Sequence, residues 1–171
     1  MADIPKTSDK SLSSKEMGDL QKTPQQIVMH AQYVKDLSFE HPNAPQTLLN
    51  SGVQPNVEIG VNVMAEKIDN DRYEVILKIT ASAVNNDKTL FLVDLSYAGI
   101  VSVADVNPQD INPLVMIQGP QLLFPFARAI ISNMTREGGF MPLNINPVDF
   151  VAVYRHNIEA QQRAATGETT Q

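Results

Sequence analysis

Three stretches between residues 57 and 97 alternate apolar and polar side chains with a period of two. Val57, Ile59, Val61 and Val63 fall on one face, with Glu58, Gly60 and Asn62 opposite. Tyr73, Val75, Leu77 and Ile79 oppose Arg72, Glu74 and Lys78, and Phe91, Val93, Leu95 and Tyr97 oppose Leu92, Asp94 and Ser96. A period of two is that of a strand with one face buried. The connections Asp69-Asn70-Asp71 and Asn85-Asn86-Asp87 are short and rich in residues that tolerate left-handed φ. Alternating runs joined this way predict an antiparallel meander. A longer, less regular strand is predicted over 26–40. Between it and the meander, HPNAPQTLLNSGVQP (41–55) has three prolines and no period, a long loop that suggests a role of its own.

After Gly99 the period changes. Asn107-Pro108 is expected to open a short helical turn. The main helix is predicted over 120–137, stopped by Gly138-Gly139 with Arg136 in its last turn. Pro125 should kink that helix or mark its true start. A second helix is predicted from Asn146-Pro147, with Asp149 in its first turn and Phe150, Tyr154 and Ile158 along one face. The order predicts an α+β domain: a four-stranded antiparallel sheet followed by a long helix and a shorter C-terminal helix. Its expected extent is 26–160, with 1–25 a disordered N-terminal tail and 161–171 a flexible C-terminal one.

On a helical wheel, Gln121, Pro125, Arg128, Ser132, Thr135 and Arg136 cluster in one arc. Leu122, Leu123, Phe124, Phe126, Ala127, Ile130, Ile131 and Met134 fill roughly 220°, against the roughly 100° stripe of an ordinary surface helix. One sheet covers only one side of such a helix. The remainder calls for another subunit or an apolar ligand.

Composition narrows the chemistry. The chain has 171 residues, no cysteine and a net charge of −6. Disulfides and thiolate sites are excluded, and the acidic balance argues against nucleic-acid binding. No secretory leader is recognisable, and no apolar run is expected to span a bilayer, so the cytoplasm is the expected location without membrane insertion. His30, His41 and His156 are far apart and fit no metal-ligand spacing, and no GxSxG, P-loop or GxGxxG occurs. The expectation is a non-enzymatic protein with no catalytic residue, metal or cofactor.

One polar face is less bland. Asp36 and Glu40 are four apart on a strand and project from one side unless a bulge intervenes. Leu92 and Asp94 share the polar face of the last strand, with Glu58, Glu74 and Lys78 expected on the same side. A solvated face explains the charges. A large apolar side chain among carboxylates instead suits a basic partner with one apolar anchor.

Five segments together resemble the SecB family of bacterial export chaperones: YVKDLSFEHPNAP (33–45), RYEVILKITASA (72–83), TLFLVDLSYAGIVSV (89–103), GPQLLFPFARAIISNM (119–134) and PLNINPVDF (142–150). The resemblance implies a homotetramer, a dimer of dimers, acting as an ATP-independent holdase for unfolded preproteins. It implies delivery to the SecA motor, with Asp36, Glu40, Leu92 and Asp94 meeting SecA's C-terminal zinc-binding tail, the zinc being the partner's. It places Phe91, Val93, Leu95 and Tyr97, with Phe126, Ile130 and Met134, in subunit packing. Val57, Ile59 and Val61, with Phe140, Met141 and Leu143 of the 138–143 loop, are implied for the client groove. The alternative it leaves open is a SecB-like chaperone dedicated to one partner, such as a toxin–antitoxin pair. The chain departs from the family pattern in its longer N-terminal extension, in Ala98-Gly99 for Gly-Gly, and in the lack of Trp in 41–55. Asp94 also stands for a usual Glu, and Glu168 is alone in the tail.

Overall fold

A computed structural model of the chain describes residues 27–49, 55–86 and 88–166. The elements run β1 (Ile27–Glu40), α1 (Gln46–Leu49), β2 (Asn56–Lys67), β3 (Arg72–Asn85), β4 (Lys88–Val103), α2 (Pro108–Glu137) and α3 (Phe150–Thr166). The sheet is antiparallel in the order β1-β4-β3-β2, and the helices follow it, as the patterning predicts. The expected N-terminal tail over 1–25 lies outside the described residues. At the other end, 161–166 continue α3.

The β2–β3 turn is closed by the Asp69 carboxylate, which accepts the Arg72 backbone N–H at 3.1 Å and its Nε at 2.8 Å. Asn86 takes φ 47° at the β3–β4 turn, the left-handed conformation that Asn tolerates. The 41–55 segment contains the single turn α1; residues 50–54 lie outside the described residues.

Both helices start elsewhere than the sequence suggests. Pro108 opens α2 itself, after an extended Asn107 (φ −62°, ψ 142°), and α2 runs through Pro113, Pro120 and Pro125 to Glu137. Pro125 is therefore interior and not a start. A proline ring denies its helix one N–H bond, but packing on the sheet holds the rest of the ladder. α3 begins three residues later than Pro147, because Asp149 is its cap: the carboxylate accepts the N–H groups of Val151 (3.0 Å) and Ala152 (3.1 Å). α2 also corrects the expectation that no apolar stretch suffices to cross a bilayer, since by length and composition it does. Here one of its faces is packed on a sheet.

The core lies between the inner sheet face and α2. Leu77, Ile79, Leu95 and Val101 meet Val115, Leu123 and Ile131, all fully buried. Gly119 lets α2 approach β3, since a Cβ there would stand 2.8 Å from Val75 Cγ2. α3 is anchored by Phe150, whose ring meets Phe124 edge-on at 5.8 Å.

Candidate functional site

Strand register builds the outer sheet face. Glu40 pairs with Leu92, Ser38 with Asp94 and Asp36 with Ser96, on alternate rungs whose side chains share one face. The β1 bulges fall between Met29 and Ala31 and between Val34 and Asp36, so none interrupts 36–40. Asp36, Glu40, Leu92 and Asp94 therefore stand together on one face. Asp36 and Glu40 are exposed, and Leu92 is 39% exposed between them and β3. The same rungs continue to Ser82, Thr80 and Lys78, then to Glu58, Gly60 and Asn62. Lys78 Nζ lies 3.0 Å from Asp94 Oδ2, whereas Asp94 Oδ1 is buried without a hydrogen-bond partner among the described residues. The patch is acidic, with one apolar side chain and one of its carboxylates already paired.

Towards the other end of that face the second bulge turns Lys35 to Glu74. Lys35 Nζ donates to both carboxylate oxygens, at 2.9 and 2.8 Å, and the Tyr33 hydroxyl donates to Oε1. The Lys35 bond, then the Tyr33 bond, hold the Glu74 carboxyl below the usual range. The hydrogen bond to Glu74 in turn pushes Tyr33 up to about 12, with burial second. A lowered carboxylate pKa gives stability above the unfolded pKa that is lost as pH falls through the folded value. A raised phenol pKa gives stability below about 10 that is lost as pH rises towards about 12. In an ultraviolet titration of tyrosinate, Tyr33 is expected to ionise near pH 12, and Glu74→Gln should lower that value. A Tyr33 whose ionisation is the same in native protein and Glu74→Gln would refute the triad.

The inner face carries the apolar surface. Val57, Ile59 and Val61 lie at the free edge of the sheet opposite Ala83, Ala81 and Ile79, with Ile59 41% exposed. Phe140 packs on Phe91 at 5.0 Å and on the His41 ring at 4.8 Å, and Phe91 stacks with Phe39 at 6.0 Å. Phe91, Ala83 and Val57 are successive partners on one rung. The 57–61 strand and the 138–143 loop thus stand at two ends of one rung, about 10 Å apart at ordinary strand spacing. Leu143 is half-buried and Met141 is 88% exposed. A cavity of about 510 Å³ opens at the far edge, between β2, α2 and α3, lined by Met64, Met116, Tyr154, Asn157 and Ile158. The spacing of Tyr154 and Ile158 places them on one helix face but carries no sign of a cavity.

Two of the three histidines take structural partners: His30 Nε2 meets Ser102 Oγ at 2.7 Å, and His41 Nε2 meets Thr47 Oγ1 at 2.5 Å. Among the described residues no cluster of His, Asp and Glu is arranged to hold a metal ion.

The preprotein translocase subunit SecB family matches residues 20–161. The chain belongs to the SecB family. The protein-export protein SecB of Afipia carboxidovorans is 47% identical over 138 residues, covering 81% of this chain and 86% of that one. That of Bradyrhizobium diazoefficiens is 46% identical over 146 residues, covering 85% and 90%. Among solved structures, a SecB-like chaperone of Mycobacterium tuberculosis in complex with an antitoxin peptide superposes with a TM-score of 0.55. It is 14% identical and covers 72% of this chain and 91% of that one, a likeness of fold.

In this SecB chain, Phe91, Val93, Leu95 and Tyr97 are buried beneath α2 of the same chain, each less than a tenth exposed. The apolar α2 surface left open consists of Leu122 (44% exposed) and Phe126 (48%), flanked by half-buried Ile130 and Met134. Tyr97 lies beneath Phe126, their rings stacked at 6.5 Å. Thr135, expected in the polar arc, is fully buried. It continues the i+4 column of Leu123, Ala127 and Ile131, a periodicity that outweighs its hydroxyl.

Proposed function

We propose that this SecB family member is a non-enzymatic, ATP-independent holdase that keeps preproteins unfolded in the cytoplasm and delivers them to SecA. The observation that carries the reading is the division of one sheet into two chemically opposite faces. Asp36, Glu40 and Asp94 surround Leu92 outside, while Val57, Ile59 and Val61 form an open apolar edge inside. Apolar burial is non-directional and scales with area, so an apolar edge with Phe140, Met141 and Leu143 accepts many client sequences. The acidic face suits the basic, zinc-binding C-terminal tail of SecA, with Leu92 as the apolar anchor. The work needs no cofactor or metal of the chain's own.

Leu122, Phe126, Ile130 and Met134 are assigned to packing between copies in a homotetramer, a dimer of dimers. Of the buried row Phe91, Val93, Leu95 and Tyr97, Tyr97 supports that surface from beneath through its ring contact with Phe126. Four chains of net charge −6 keep an assembly with open apolar surface soluble. Several modest sites on one long client add avidity.

Equimolar tetramer is expected to suppress light scattering from a precursor diluted out of denaturant, without nucleotide. Native mass spectrometry is expected to show four copies of the chain, and five chains once one precursor is bound. Undiminished scattering would overturn the reading.

A further inference from the structure

Gly139, at φ +87°, turns the chain at the end of α2. Its N–H donates to Arg136 O and the Phe140 N–H to Thr135 O, both at 3.0 Å, so the helix is closed by backbone alone. Thr135 adds a bond that this closure does not require. Its hydroxyl oxygen accepts the Leu143 N–H at 2.9 Å, while its O–H lies 3.1 Å from both Ile131 O and Ser132 O. The residues on either side of Met141-Pro142 are therefore both tied to Thr135, one through its carbonyl and one through its side chain. Met141, between them, is 88% exposed.

Thr135 is also the one polar residue in the buried core among the described residues. The helix's own carbonyls take its O–H, and the Leu143 N–H is what uses the oxygen as an acceptor, a bond that valine could not make. The hydroxyl is thus better explained by the loop than by the core. We infer that Thr135 is a positioning residue that presents Met141 to the client's apolar segments. The inference rests on the holdase reading above. Phe140 is held independently by Phe91 and His41, so losing the hydroxyl frees the Leu143 side of the loop and leaves the Phe140 side in place.

Thr135→Val is expected to weaken binding of a fluorescently labelled, unfolded precursor about fivefold, the effect of losing one hydrogen bond of ordinary strength. Thr135→Ser, which keeps the hydroxyl, should restore affinity to within about twofold. Amide exchange should quicken at Leu143 and stay unchanged at Phe140. In a Met141→Ala background the Thr135→Val effect should vanish, because the residue acts through Met141. Should Thr135→Val fail to assemble, Thr135→Ala takes its place in the same cycle. An equal loss in both backgrounds, or full affinity without the hydroxyl, would overturn the assignment. A wild-type protein that fails to bind the precursor would instead overturn the holdase reading beneath it.

Discussion

Exchanging both Asp36 and Asp94 for lysine is expected to weaken binding of the SecA tail roughly a hundredfold while client capture stays within about twofold. The two positions lie on neighbouring strands, two rungs apart along the register and on the same face, with Leu92 two rungs further on. A basic tail laid across them would meet two repulsive charges in place of two attractive ones. Like-charge juxtaposition at an interface costs several kcal/mol, whereas single exposed pairs contribute ~0.2–1 kcal/mol, so reversal is the decisive change and neutralisation a milder one. Asp94→Lys adds a second effect, because Lys78 loses its 3.0 Å partner and faces another ammonium group. Asp36→Asn with Asp94→Asn should therefore fall between wild type and the reversal. Tail binding in the wild type should weaken as salt rises. Isothermal titration with the tail peptide and anisotropy with a precursor separate the two activities. A reversal variant that loses both would show that the outer face is not a separate docking surface.

Leu123→Ala is expected to destabilise the fold by about 3 kcal/mol, within the ~2–5 kcal/mol observed for such truncations in cores. Leu123 is fully buried where α2 crosses β4, and Gly99 is what lets it seat. A Cβ on Gly99 would stand 2.8 Å from Leu123 Cδ2 and 2.7 Å from Met29 Sδ. Gly99→Ala alone should therefore overpack the crossing. Combined with Leu123→Ala it keeps only the contact with the flexible end of Met29, and the pair should cost less than the sum of its parts. Urea unfolding at one fixed protein concentration reads the effect, since association shifts apparent stability. A loss below about 1 kcal/mol for Leu123→Ala would mean that α2 does not seat on the sheet as described.

The sheet was the most legible part of the sequence because its signal is local. Alternation and Asn/Asp turns define β2, β3 and β4, and the same period-two arithmetic pairs Asp36 with Glu40 and Leu92 with Asp94, whereas only the β1–β4 register brings the two pairs to one face. The β1 bulges at His30 and Lys35 were not legible, since an unpaired residue depends on the partner strand. The start of α2 was hidden by Pro113, Pro120 and Pro125, each a local stop signal overridden by burial of Val115, Leu123 and Ile131. Thr135 reads as a surface residue by type, but its place in the i+4 column of Leu123, Ala127 and Ile131 buries it. The cleft beside Tyr154 and Ile158 depends on where α3 docks, a long-range fact with no local trace.

The strand order β1-β4-β3-β2 also dictates a sequence in time. β2, β3 and β4 are joined by tight turns and zip up from neighbouring contacts, which form quickly. β1 leaves a ribosome first yet pairs only with β4, so its docking must wait for the whole meander and must close the longest loop in the domain. Until then its core-facing apolar residues, Ile27, Met29, Leu37 and Phe39, stand unpartnered beside a three-stranded sheet. During its own synthesis this chain passes through a state of the kind it is proposed to hold in others: an extended, partly apolar segment awaiting a surface.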